Sequence, residues 1–128
     1  MHNLLRGLKR RGVKVGNLQA LETFGGTGVL HTKDYAPYVS SLTVWEINSK
    51  NKSILLRNLP QAEVKITDCY KEVKKVTEKY DFIVVDNPLF WVEGQEWHFE
   101  HFDLFPDIFR IAANATILVL NVMPEVKR

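Results

Sequence analysis

Cysteine occurs once in the 128 residues, as Cys69. That excludes an intramolecular disulfide and any zinc centre built on several thiolates, and leaves a buried thiol as the simplest role for it. No apolar run is long. Residues 82–85 and 115–120 fall far short of the roughly 20 residues a membrane span requires. Residues 1–7 have too little apolar length ahead of charge for a secretory signal, so a cytoplasmic protein with no membrane partner is expected. Neither sign of charge dominates: 17 Lys and Arg stand against 15 Asp and Glu, a net +2 that does not by itself imply nucleic acid. Internal repeats and low-complexity segments are absent. Length and a hydrophobic content of 45% fit one globular domain over 1–128, with residues 1–16 as a basic N-terminal helix or arm.

What is there is organised around residues 18–31. An apolar strand runs into Glu22, then a glycine cluster (Gly25, Gly26, Gly28), then a segment able to start a helix. Glycine suits such a turn because positive φ costs it little and a missing Cβ lets the backbone approach a ligand. Turn geometry alone also accounts for such a link. The dinucleotide fingerprint would continue to a third glycine, where His31 stands, which weakens NAD or FAD. Glu22, at the strand's carboxyl end, belongs at the mouth of a ligand crevice.

Periodicity places a short amphipathic helix over 2–11, with Leu4, Leu5 and Leu8 on one side and basic residues on the other. Arg6, Lys9, Arg10, Arg11 and Lys14 make this arm either a solvated face or a nucleic-acid contact. Strands are predicted over 18–23, 41–47, 63–67, 80–86 and 115–122. Helices are predicted over 27–35, 49–58, 70–79 and 103–113, the last with Pro106 in its first turn. Strands alternating with helices mean a parallel sheet covered on both faces. Glu46 follows Gly28 by 18 residues, close to the spacing at which an acid at the second strand's tip accepts from ribose hydroxyls.

Four strand tips thus carry acids: Glu22, Glu46, Asp68 and Asp86. Together with Glu-Thr-Phe-Gly-Gly-Thr-Gly at the first, the pattern resembles the class I S-adenosylmethionine-dependent methyltransferases over about residues 17–122. The likeness is closest to nucleic-acid-modifying members. It implies a Rossmann-like α/β three-layer sandwich with about five strands in the order 3-2-1-4-5, and S-adenosylmethionine as cofactor. It also implies a cofactor set of Glu22, Phe24, Gly26, Gly28, Glu46, Ile47, Asp68 and Cys69. In it Glu22 faces the ammonium group, Glu46 holds the ribose, Ile47 lies on the adenine, and Asp68 accepts from the adenine amine beside Cys69 or Tyr70.

In members that methylate an amine, the fourth strand ends in Asp/Asn-Pro-Pro-aromatic. Here Asp86-Asn87-Pro88-Leu89-Phe90-Trp91 fits in either of two registers, each with a departure. The resemblance implies Asp86, Asn87 and Pro88 as catalytic and Phe90 and Trp91 as substrate-binding, although the two rings equally suit a hydrophobic anchor. Trp97, His98 and His101 crowd the next loop, as a target pocket or as core. No metal site is expected, since His98 and His101 lack the rest of a ligand set. The expected activity is methyl transfer to a nitrogen of a nucleobase or other macromolecule. The alternatives are a non-catalytic binding or assembly subunit of the same fold and a site for NAD or another adenine nucleotide. The family's usual sheet continues past strand five with an antiparallel hairpin. Its absence here implies a reduced domain or a fragment, and an open edge that favours a homo-oligomer.

Overall fold

The structure, a computed structural model, describes residues 1–86 and 100–121, with Glu100 and His101 described by backbone alone. Five strands form one sheet: β1 (Gln19–Glu22), β2 (Ser41–Glu46), β3 (Glu63–Ile66), β4 (Tyr80–Val85) and β5 (Ala112–Leu120). Their order is β3-β2-β1-β4-β5 and every pair is parallel, as expected from the alternation of strands and helices. The chain changes direction across the sheet between β1 and β4, so a crevice opens at the carboxyl ends of these two strands.

Parallel neighbours need crossovers, which α2 (Thr32–Tyr35), α3 (Lys52–Asn58), α4 (Cys69–Glu72) and α5 (Phe105–Ile111) supply, while α1 (His2–Arg10) precedes the sheet. Side chains along a strand alternate between faces. Ala20, Val44, Phe82 and Val84 therefore join Leu5, Tyr35 and Leu55 from α1, α2 and α3 in one core layer. Leu21, Trp45, Ile83 and Val85 join Cys69, Ile108 and Ile111 from α4 and α5 in the other. Tyr35 packs edge-on against Phe82 with ring centroids 5.2 Å apart. Each large side chain so buried contributes about 1.5–3 kcal/mol. Among the described residues, no helix is long and apolar enough to cross a membrane.

Three elements differ from expectation. The first crossover helix, expected over 27–35, is confined to Thr32–Tyr35, because Gly26 and Gly28 take φ of 54° and 75° and hold the preceding chain in turns. The helix expected over 70–79 stops at Glu72. Arg110 of α5 donates to the carbonyls of Val73 and Val76, which gives the chain leaving α4 a tertiary partner in place of helical bonds. β5 starts at Ala112 rather than 115, pairing there with Tyr80, and its register with β4 is broken before pairing resumes between Phe82 and Ile117.

Candidate ligand crevice

The glycine turn is pinned from two sides. Gly25 donates to the Trp45 carbonyl at 2.8 Å, and a Cβ built on it would fall 2.4 Å from Val44 Cγ1. Only glycine lets the turn lie this close to β2. From the other side, Asn58 at the end of α3 donates to the Thr27 carbonyl at 2.8 Å. Gly26 has open space where its Cβ would be, and it lines a cleft of about 190 Å³ with Glu22, Phe24, Gly28, His31 and Asp86.

The acids at the tips of β1 and β2 do different work. Glu46 is buried, and both its oxygens accept backbone N–H bonds at 2.6 Å, Oε2 from Gly26 and Oε1 from Asn48. It thereby fastens the turn to β2. Glu22 is 2% exposed and its Oε2 accepts from Tyr35 Oη at 2.9 Å and Thr32 Oγ1 at 3.2 Å. Its Oε1 is buried with no hydrogen-bond partner among the described residues. Burial drives the Glu22 pKa up to about 8. The bonds from Tyr35 and Thr32 pull it down, the charge of Asp86 pushes it further up, and the Phe24 amide is the weakest influence. Tyr35 is in turn raised well above its ordinary range by burial and by Glu22.

Asp86, just past β4, lines the same cleft. Its Oδ1 accepts from Asn121 Nδ2 at 2.8 Å, and its Oδ2 lies 3.6 Å from His31 Nε2. His31, Asp86 and Asn121 also line a second cleft of about 220 Å³, completed by Met1, Leu4, Val84, Val119 and Leu120. These three polar residues therefore border both clefts.

Of the other described residues singled out from the sequence, Phe24 alone lines the first cleft. Phe24 is half-buried against the second core layer. Ile47 is 73% exposed at the tip of β2, and Cys69 is buried in the core. Asp68 caps α4, its Oδ1 accepting from Tyr70 N at 3.0 Å. Asn87, Pro88, Phe90, Trp91, Trp97 and His98, and the side chain of His101, lie outside the described residues. Among the described residues no cluster of three or more His, Cys, Asp or Glu is arranged to hold a metal.

Sequence reasoning missed four residues. Thr32 and Tyr35 hold Glu22 from ten and thirteen positions downstream, a spacing without a motif. Asn121 stands at a strand tip, where the rule that flagged the acids would have found it. His31 was visible only as a missing glycine.

No protein-family model matches the chain, and no curated protein matches it. Solved structures do. A SAM-dependent methyltransferase of Agrobacterium tumefaciens superposes with a TM-score of 0.68 at 20% identity, over 91% of this chain and 42% of its own. The N-methyltransferase NodS of Bradyrhizobium japonicum WM9 does so at 0.64 and 19%, over 93% and 66%. A precorrin 8w decarboxylase of Methanobacterium thermoautotrophicum gives 0.69 and 17%, over 94% and 61%. The chain thus spans between 42% and 66% of the length of these three proteins. With five parallel strands in the order 3-2-1-4-5 and helices on both faces, the chain has the Rossmann-like fold of the class I methyltransferases.

Proposed function

We propose that the chain is an S-adenosylmethionine-dependent methyltransferase acting on a nitrogen of a nucleobase or other macromolecular target. The observation that carries this reading is the composition of one cleft: the glycine turn, Glu22 and Asp86 line it together, and the buried Glu22 Oε1 has no hydrogen-bond partner among the described residues. A buried acceptor without a donor fits a cationic ammonium, and the open space at Gly26 fits a ligand drawn close to backbone. The Bradyrhizobium and Agrobacterium methyltransferases support the same reading through their shared fold.

When bound, the cofactor supplies a methyl group on a sulfonium, which leaves the protein chiefly to align the acceptor and exclude water. Glu22 would face the ammonium, Glu46 would present its carboxylate to the ribose while holding Gly26, and exposed Ile47 would cover the adenine. Asp68 and Cys69 complete the adenine end, Asp68 with the carboxylate that caps α4. Asp86 Oδ2 accepts the N–H of the acceptor, orients its lone pair and takes its proton late. Asn121 fixes the carboxylate through Oδ1.

Calorimetric titration with S-adenosylmethionine and S-adenosylhomocysteine, with NAD and ATP as controls, tests the cofactor. Selective binding of the first pair, weakened in Glu46→Ala, is expected; no binding by the folded chain leaves a non-catalytic subunit. Asp86→Ala is expected to abolish methyl incorporation while cofactor affinity stays within about threefold, a change below 1 kcal/mol. We also infer that β5, an edge of the sheet among the described residues, pairs with a second copy of the chain. Light scattering showing a monomer at micromolar concentration rules that out.

A further inference from the structure

Positive charge is segregated in this molecule. Residues 1–40 carry six Lys and Arg (Arg6, Lys9, Arg10, Arg11, Lys14 and Lys33) against two acids, Glu22 and Asp34, whereas residues 41–128 carry eleven against thirteen. Neither of the two acids opposes the basic residues. Glu22 is buried, and Asp34 lies 3.4 Å from His2. The net +2 of the whole chain therefore hides a first segment of +4 and a remainder of −2.

The fold gives this charge a direction. Leu5 is buried, and Leu4 and Leu8 pack against the same core layer, so the apolar side of α1 is consumed by the body of the protein. Arg6, Lys9 and Arg10, three and four residues apart, share the opposite side and are exposed, as are Arg11 at the helix end and Lys14 beyond it. Tyr38 joins them from the crossover after β1. It is 48% exposed, with Lys9 Nζ 5.0 Å from its ring centroid. An aromatic face among exposed cations is the combination that stacks an unpaired base while its phosphates are neutralised.

The position of α1 matters as much as its charge. Met1 and Leu4 line the second cleft together with His31, Asp86 and Asn121. With a rise of about 1.5 Å per residue, the Arg10 end of the helix lies about 9 Å along its axis from Leu4. A strand lying on the basic side and turning round the Met1 end of the helix has its next nucleotides at the cleft that Asp86 borders.

We infer that the exposed side of α1, with Tyr38, is a binding surface for single-stranded nucleic acid, and that it delivers the strand to the cleft beside Asp86. Delivery rests on the methyl-transfer reading; binding does not. A basic amphipathic helix also suits an anionic membrane, but insertion needs a free apolar face, and that of α1 is committed to the core.

The test is fluorescence anisotropy of the full chain with a short labelled oligothymidylate and, in a separate arm, oligouridylate. Salt is varied between about 50 and 200 mM. Affinity is expected to fall with a log–log slope of about −3.5, from roughly 0.7 ions released per single-strand phosphate at five contacts. The Arg6→Ala, Lys9→Ala, Arg10→Ala triple variant is expected to bind at least about tenfold more weakly, with the slope reduced by about 2. Tyr38→Ala loses at least about fivefold with the slope unchanged. Arg10→Ala alone, expected to reduce the slope by about 0.7, serves if the triple variant does not fold. The inference is overturned by absent or salt-independent binding, by equal binding of these variants, or by capture on phosphatidylserine vesicles without oligonucleotide binding. S-adenosylhomocysteine titration of the same preparations separates the two readings. Lost oligonucleotide binding with retained cofactor binding fails this inference alone, and the reverse fails only the methyl-transfer reading.

Discussion

Glu46, at the tip of β2, accepts the Gly26 N–H at 2.6 Å, so the acid that spacing assigns to a ribose also fastens the glycine turn. Its other oxygen accepts the Asn48 N–H, which makes the carboxylate a buried acceptor for two backbone donors. Turn and strand-tip acid are one unit.

Glu46→Gln tests that unit in the apo protein. An amide has a single acceptor oxygen and sets an NH₂ against one of the two N–H groups, so one buried donor loses its partner. A loss of about 1–3 kcal/mol is expected in urea unfolding. A midpoint equal to wild type shows that the carboxylate does not hold the turn.

Glu22 sets a pH dependence of stability. Its pKa in the folded chain is about 8, pushed up first by burial, against 4.5 for the free group. Below pH 4.5 both states hold the proton and this contribution is complete; as pH rises towards 8 only the native state keeps it. Each pH unit in that window therefore costs about 1.4 kcal/mol, and the contribution is gone above the folded pKa. Urea midpoints are expected to fall across this range in wild type and to flatten in Glu22→Gln. Parallel pH profiles for the two proteins place the titration elsewhere.

Gly26 and Gly28 separate a ligand effect from a packing effect. Both have positive φ, but a Cβ on Gly28 would fall 2.8 Å from Leu59 Cδ1, while one on Gly26 meets nothing within 4 Å. Gly28→Ala is expected to cost about 2–4 kcal/mol through strain and crowding. Gly26→Ala is expected to cost about 1–2 kcal/mol through strain alone, yet to weaken S-adenosylhomocysteine more, because its methyl group enters the cleft. Equal stability losses with equal ligand affinities remove Gly26 from the ligand wall. Melting curves with and without ligand read both quantities.

Period-two alternation and the regular succession of strands and helices determine the parallel sheet, because a chain with both faces covered must place Phe82 and Val84 on one side and Ile83 and Val85 on the other. Spacing along the chain likewise marks the strand-tip acids and the glycine turn, since both are local features of where a strand ends. The tertiary structure alone decided what those groups do. Whether Glu22 is solvated or buried depends on Tyr35 and Thr32 closing over it, and whether Glu46 is free or engaged depends on how closely Gly25 lets the turn approach β2. The helices expected over 27–35 and 70–79 shortened for the same kind of reason: left-handed glycines and an arginine from α5 satisfied the backbone in place of helical bonds. His31, Asp86 and Asn121 come from three separate segments and meet only because β1, β4 and β5 are adjacent in the sheet. Linear spacing encodes what neighbours along the chain impose on each other; burial, pKa and the company of a side chain are set by contacts between segments far apart in sequence.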